Sequence, residues 1–116
     1  MHYVKILKCC NNDNIKSVNH LKNTLQILDC SGLRCEINQD GILELQYIKN
    51  LKCWQNRNIN NVNQLKNTLQ ILDCGGMHCG IDQEGISELK YIKKIYHTHN
   101  TKINNINFLK TYANIF

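Results

Sequence analysis

Residues 18–61 align without gaps onto residues 62–105, with 27 of 44 positions identical. No other feature of the chain constrains its fold as strongly, because a self-similar stretch of this length must build the same structural unit twice. The block VNHLKNTLQILDCSGLRCEINQDGILELQYIKNLKC returns as VNQLKNTLQILDCGGMHCGIDQEGISELKYIKKIYH. The opening HYVKILKC echoes the close of each block, and Tyr3, Tyr47 and Tyr91 mark one phase.

A shorter period lies inside the block. Ile15, Ile37, Ile59, Ile81 and Ile103 recur every 22 residues, and Leu7, Leu28, Leu51, Leu72 and Ile95 recur at alternating intervals of 21 and 23. Two residues after each member of the second series come Cys9, Cys30, Cys53, Cys74 and His97. Alternation in Ile6-Leu7-Lys8-Cys9 and Ile27-Leu28-Asp29-Cys30 puts Leu and Cys on one side, as a half-buried strand requires. Between strands, Val18 and Leu21, then Ile42, Leu45 and Ile48, fall three or four residues apart, predicting helical or 3₁₀ returns over Ser17–Asn23 and Gly41–Ile48. A unit this small cannot bury its own apolar face, so neighbours must stack and share one core.

The segments Leu25-Gln-Ile-Leu28-Asp-Cys30 and Leu69-Gln-Ile-Leu72-Asp-Cys74 resemble the LxxLxL core of leucine-rich repeats. Ile37-Asn-Gln-Asp-Gly41-Ile42-Leu-Glu-Leu45 and its copy Ile81-Asp-Gln-Glu-Gly85-Ile86-Ser-Glu-Leu89 resemble the second half of the cysteine-containing repeats found in F-box proteins, where they recruit substrates for ubiquitination. The resemblance runs from Tyr3 to about Tyr112. It implies an α/β leucine-rich-repeat solenoid, a short curved parallel sheet with helical or 3₁₀ returns on its convex side. About five units are expected, near 3–24, 25–46, 47–68, 69–90 and 91–112, with 113–116 as a terminal stub. It also implies that Asn12, Asn56 and Asn100 hydrogen-bond the backbone of the turn leaving the strand. Even units place Leu33 and Met77 at that point and carry an extra residue before Ile37 and Ile81. No F-box-like segment is recognised ahead of Tyr3 and neither end shows a polar capping unit, as expected of a truncated or degenerate member.

The formal charge of +5 comes from 14 basic and 9 acidic residues, with lysines scattered along the chain and only two Arg. That pattern argues against a nucleic-acid partner, which needs a concentrated basic face. No run approaches the roughly 18 apolar residues of a membrane span. Seven cysteines recurring within the repeat suit reduced thiols in a cytoplasmic compartment better than a disulfide framework.

Cys and His are both metal-ligand types. Cysteines repeated along a ladder stand in a line about 4.8 Å apart, which does not surround a tetrahedral zinc ion. They are read as small core side chains, and no metal or cofactor is expected. Cys35 and Cys79 fall near turns, where partial exposure is expected without any neighbour to lower their pKa. His97 and His99 have no patterned partner, so the chain is read as not an enzyme. A zinc-dependent or thiol enzyme is the weaker alternative.

Three rows are expected on the concave sheet face. Lys8, Asp29, Lys52, Asp73 and Tyr96 form a row of alternating charge that pairs laterally. Cys10, Ser31, Trp54, Gly75 and Thr98 present the single Trp between small residues. Ile6, Ile27, Asn50, Ile71 and Lys94 present isoleucines. A non-catalytic protein-interaction module follows, binding its partner through Ile27, Asp29, Lys52, Trp54, Ile71, Asp73 and Tyr96. Self-association into dimers or end-to-end arrays is the alternative.

Overall fold

A computed structural model describes residues 3–109 together with a strand at Asn114–Ile115. The chain winds into one parallel sheet whose strands stand in sequence order: β1 Ile6–Lys8, β2 Ile27–Asp29, β3 Asn50–Lys52, β4 Ile71–Asp73, β5 Lys94–Tyr96 and β6 Asn114–Ile115. The register aligns Leu7 with Leu28, Leu51, Leu72 and Ile95, so the uneven 21- and 23-residue spacing is absorbed entirely in the returns. The sixth strand pairs Lys94 with Asn114 and Ile95 with Ile115, within the segment expected to be a terminal stub.

Strands β1 to β5 are each three residues long because only the central side chain has somewhere apolar to go. Leu28, Leu51, Leu72 and Ile95 are fully buried beneath the sheet, where each contributes roughly 1.5–3 kcal/mol. Cys30, Cys53 and Cys74 follow on the same inward side, and Ile37, Ile42, Ile59, Val62, Ile81 and Ile86 close the core from the opposite wall.

Of the two forms of return that the sequence left open, helical or 3₁₀, the structure has the 3₁₀ form. Among the described residues every return is 3₁₀, at Asn19–Leu21, Asp40–Ile42, Asn63–Leu65, Glu84–Ile86 and Asn107–Leu109, and no α-helix is present. Leu21 N–H donates to Val18 O and Lys22 N–H to Asn19 O, i to i−3 bonds that tighten the chain into a single turn. A unit of about 22 residues has to cross the core and return within a few residues, which leaves no length for an α-helix.

Glycine sits where the wall comes closest. A Cβ on Gly85 would lie 2.2 Å from Asn60 O, and one on Gly41 2.1 Å from Lys16 O, so neighbouring units touch backbone to backbone there. Gly32 and Gly76 instead serve conformation, with φ of +106° and +96°. These two turns reorient the even units, and the consequence is a correction: Leu33 and Met77 point to solvent, while Cys35 and Cys79 swing inward and are buried.

Candidate functional site

The open face of the sheet gathers the residues that the pattern singled out. Strand register sets Ile6, Ile27, Asn50, Ile71 and Lys94 side by side, and Lys8, Asp29, Lys52, Asp73 and Tyr96 beside them. Two shallow depressions run along these rows. One, of about 270 Å³, is lined by Ile6, Lys8, Ile27, Asp29, Asn50 and Lys52. The other, of about 300 Å³, is lined by Asn50, Lys52, Ile71, Asp73, Lys94 and Tyr96.

Ile27 and Ile71 are half-buried, Ile6 is 56% exposed, and Tyr96 is 37% exposed. Trp54 lies one step past Cys53, and its backbone N–H donates to Ser31 Oγ at 3.2 Å. The ring rests on Gly75, whose added Cβ would fall 3.0 Å from Trp54 Cδ1, yet the residue remains 47% exposed. One part of the indole therefore covers backbone while the rest faces water.

The expected charge ladder does not form. The structure places no salt bridge between Lys8 or Lys52 and either aspartate among the described residues. Asp29 Oδ1 instead accepts from Ser31 N–H and Asp73 Oδ1 from Gly75 N–H, each at 3.1 Å. A carboxylate that satisfies a backbone donor two residues on is held along its own strand, and the neighbouring lysine reaches into solvent. Ion pairing between units occurs elsewhere, in Lys22–Glu44 at 3.3 Å and Lys66–Glu88 at 3.1 Å, both exposed.

Asn50 is the site residue that pattern reading passed over. It interrupts the isoleucine row, lines both depressions, and its Oδ1 is buried without a hydrogen-bond partner. The signal was present in the sequence, where the repeat puts Asn50 in the place held by Ile27 and Ile71 in the neighbouring units.

The structural asparagines take their expected role, with one extension. Asn56 is fully buried and its Nδ2 donates to Cys30 O at 2.8 Å and Ile37 O at 3.1 Å, while Oδ1 accepts from Asn58 N–H at 2.8 Å. Asn100 repeats this with Cys74 O, Ile81 O and Lys102 N–H. Asn12, in the turn after β1, makes the local half, its Oδ1 accepting from Asn14 and Ile15 N–H. Cys79 fills the same place in its even unit, its Sγ donating to Cys53 O at 3.4 Å.

Burial pushes the Cys30 and Cys74 thiols up from the ordinary value of 9.0. Cys35 is held down to about 7, chiefly by a side-chain hydrogen bond with Cys9, contrary to the expectation that nothing nearby would lower it, while the Cys9 S–H is aimed at Asp29 O at 3.3 Å. No three of His, Cys, Asp or Glu are grouped to hold a metal ion among the described residues, and none of the helices there is long and apolar enough to cross a membrane. The sequence matches no protein-family profile and no curated protein.

Proposed function

We propose that the chain is a non-catalytic leucine-rich-repeat module of the cysteine-containing type, binding a protein partner on the open face of its sheet. The use is akin to substrate recruitment by F-box adaptors, in a reducing, cytoplasmic setting. The repeat assignment is supported by Leu25, Leu28 and Cys30 turning inward together, by Ile37, Ile42 and Leu45 closing the opposite wall, and by the buried asparagine at the exit turn.

The observation that carries the binding reading is Trp54. A Trp residue 47% exposed, its ring resting on Gly75, is a preorganised anchor that loses little freedom when a partner covers it. Lys52, Asp73 and Asp29 around it supply a polar rim. The test is capture of partners by the wild-type chain and by Trp54→Ala/Ile71→Ala. The double variant is expected to lose the captured set while Leu43→Ala, on the far wall, keeps it. An unchanged set with the double variant would place the contact elsewhere.

A second reading has one observation in its favour. Beside β1 lies an apolar cleft of about 330 Å³, lined among others by Val4, Leu7, Ile15, Val18 and Leu21. A second copy covering it would give concentration-dependent sedimentation, and a strict monomer at high concentration would remove this reading.

A further inference from the structure

Along β1 to β4 one outward row runs Lys8, Asp29, Lys52, Asp73, held in that order by the strand register. A row of alternating sign, turned end for end, presents each charge to its opposite. The row beside it runs Ile6, Ile27, Asn50, Ile71. Register continues past the strands, where Asn11 N–H donates to Ser31 O at 2.8 Å, Gly32 N–H to Trp54 O at 2.7 Å and Gln55 N–H to Gly75 O at 3.0 Å. Cys10, Ser31, Trp54 and Gly75 therefore make a third row.

A second copy turned over this face about a two-fold axis parallel to the strands lays each row on its own counterpart with the strand order reversed. Where the axis lies decides which residues meet. Through β3, Lys52 meets its own copy and Asp29 meets Asp73, like charge on like. Between β3 and β4, Lys94 is laid on Ile27. Between β2 and β3 the three rows agree: Lys8 opposes Asp73, Asp29 opposes Lys52, Ile6 opposes Ile71, and the bulky Trp54 opposes the small Ser31. Asn50 falls opposite Ile27 but flanks the axis, one strand from its own copy, where two side-chain amides each bring a donor and an acceptor. In the single chain its Oδ1 is buried without a donor.

The groups that meet are available to do so. Lys8 and Lys52 are exposed, and no salt bridge joins either to Asp29 or Asp73 among the described residues. Opposed sheets stand about 10 Å apart, a gap that Lys and Asp side chains span together. The wall behind the sheet is also hydrogen-bonded from unit to unit, Val18 N–H to Gly41 O and Val62 N–H to Gly85 O at 2.9 Å, and Gln39 N–H to Asn58 O at 3.0 Å. A coil bonded along both walls has similar spacing on each, which keeps the sheet to a shallow curve and lets four strands meet a second face.

We propose that a second copy of this chain covers the open face of the isolated protein, related by a two-fold axis that runs parallel to the strands between β2 and β3. The proposal rests on the reading of this face as the contact surface and names its occupant, which any other partner has to displace.

The test is sedimentation of the intact chain and of charge-reversed variants whose folding is checked by circular dichroism. The wild type is expected to form a dimer that weakens as salt is raised. Lys52→Asp alone sets two carboxylates against each other across the axis, and Asp29→Lys alone sets two ammonium groups, so each is expected to dimerise at least about tenfold more weakly. Mixed in equal amounts, the two variants are expected to recover the wild-type affinity as a heterodimer. A strict monomer at high concentration, a dimer that Lys52→Asp leaves untouched, or no recovery on mixing folded variants would each overturn the proposal. Should Asp29→Lys fail to fold for want of its bond to Ser31 N–H, Lys52→Asp and Lys8→Asp still decide, since each exposed lysine faces an aspartate across the axis. If the wild type is monomeric while Trp54→Ala/Ile71→Ala still loses captured proteins, this inference fails and the reading of the face stands. If that double variant also changes nothing, both fail.

Discussion

Asn56 reaches back across one unit to hold the carbonyl of Cys30, Nδ2 to O at 2.8 Å, and with its second amide hydrogen it holds Ile37 O at 3.1 Å. One fully buried side chain thus satisfies a strand end and a return that belong to the same neighbour. Replacing it by Ala leaves two buried carbonyls and the Asn58 N–H unpaired, at about 1–3 kcal/mol each before relaxation. Asn56→Ala is expected to lose about 3 kcal/mol or more in urea denaturation. Asn12→Ala, which gives up only local turn bonds, is expected to lose about 1 kcal/mol. Equal losses at the two positions would show that the inter-unit bonds add nothing.

Backbone contact between units at Gly85 makes a second prediction. The blocking atom is the Asn60 carbonyl oxygen, 2.2 Å from an added Cβ, and a carbonyl in the wall cannot rotate aside. Gly85→Ala is expected to destabilise by roughly 1–3 kcal/mol through forced separation of the two returns. Calorimetry on the purified variant reads it, and an unchanged melting temperature would mean that the wall yields without cost.

Much of this was legible beforehand, and particular residues show why. Leu28 and Cys30 are inward in the structure because alternation and burial are both local properties of a strand, visible in six residues. Asn56 could be assigned to the turn through the resemblance to leucine-rich repeats, which implies an Asn there that holds the turn backbone. Cys35 could not. Its inward position depends on the φ of +106° at Gly32, and a counting frame without backbone angles put Leu33 in its place. The charge row failed for a related reason: register brings Asp29 beside Lys52, but the Ser31 N–H two residues along the chain competes for the carboxylate and lies closer at hand. Whether the returns are α-turns or 3₁₀ stayed open, since a period-3.6 pattern over six residues does not separate the two.

Trp54 gives a prediction in which stability and binding separate. Its half-exposed ring covers Gly75 but is not part of the core, so Trp54→Ala is expected to cost about 1 kcal/mol or less in stability. If the open face is the contact surface, the same substitution weakens a captured partner by about 2 kcal/mol, or roughly 30-fold in Kd. Titration of the partner against both proteins reads the ratio, and intrinsic fluorescence of the single Trp reports whether its environment dries on binding. A partner that binds both chains equally, with no spectral shift, does not use this face.

Buried thiols make stability fall on the alkaline side. Burial pushes Cys30 and Cys74 well above 9.0, and a donated S–H together with burial does the same for Cys53. In the unfolded chain these groups ionise near their ordinary value, whereas the folded chain keeps them protonated. Above about pH 9 the unfolded state therefore binds fewer protons than the native state, so stability decreases as pH rises. Each such thiol contributes a slope of about −1.4 kcal/mol per pH unit once its unfolded form is ionised, and the contribution is fully present below pH 9. The lowered value of about 7 at Cys35 acts oppositely, adding stability as pH rises from about 7 to 9 before the others dominate. Urea midpoints are accordingly expected to rise slightly from about pH 7 to 9 and then drop steeply toward about pH 10. Cys74→Ala should make the drop shallower by one thiol's share, and a slope unaffected by that substitution would show that groups other than the buried cysteines govern it.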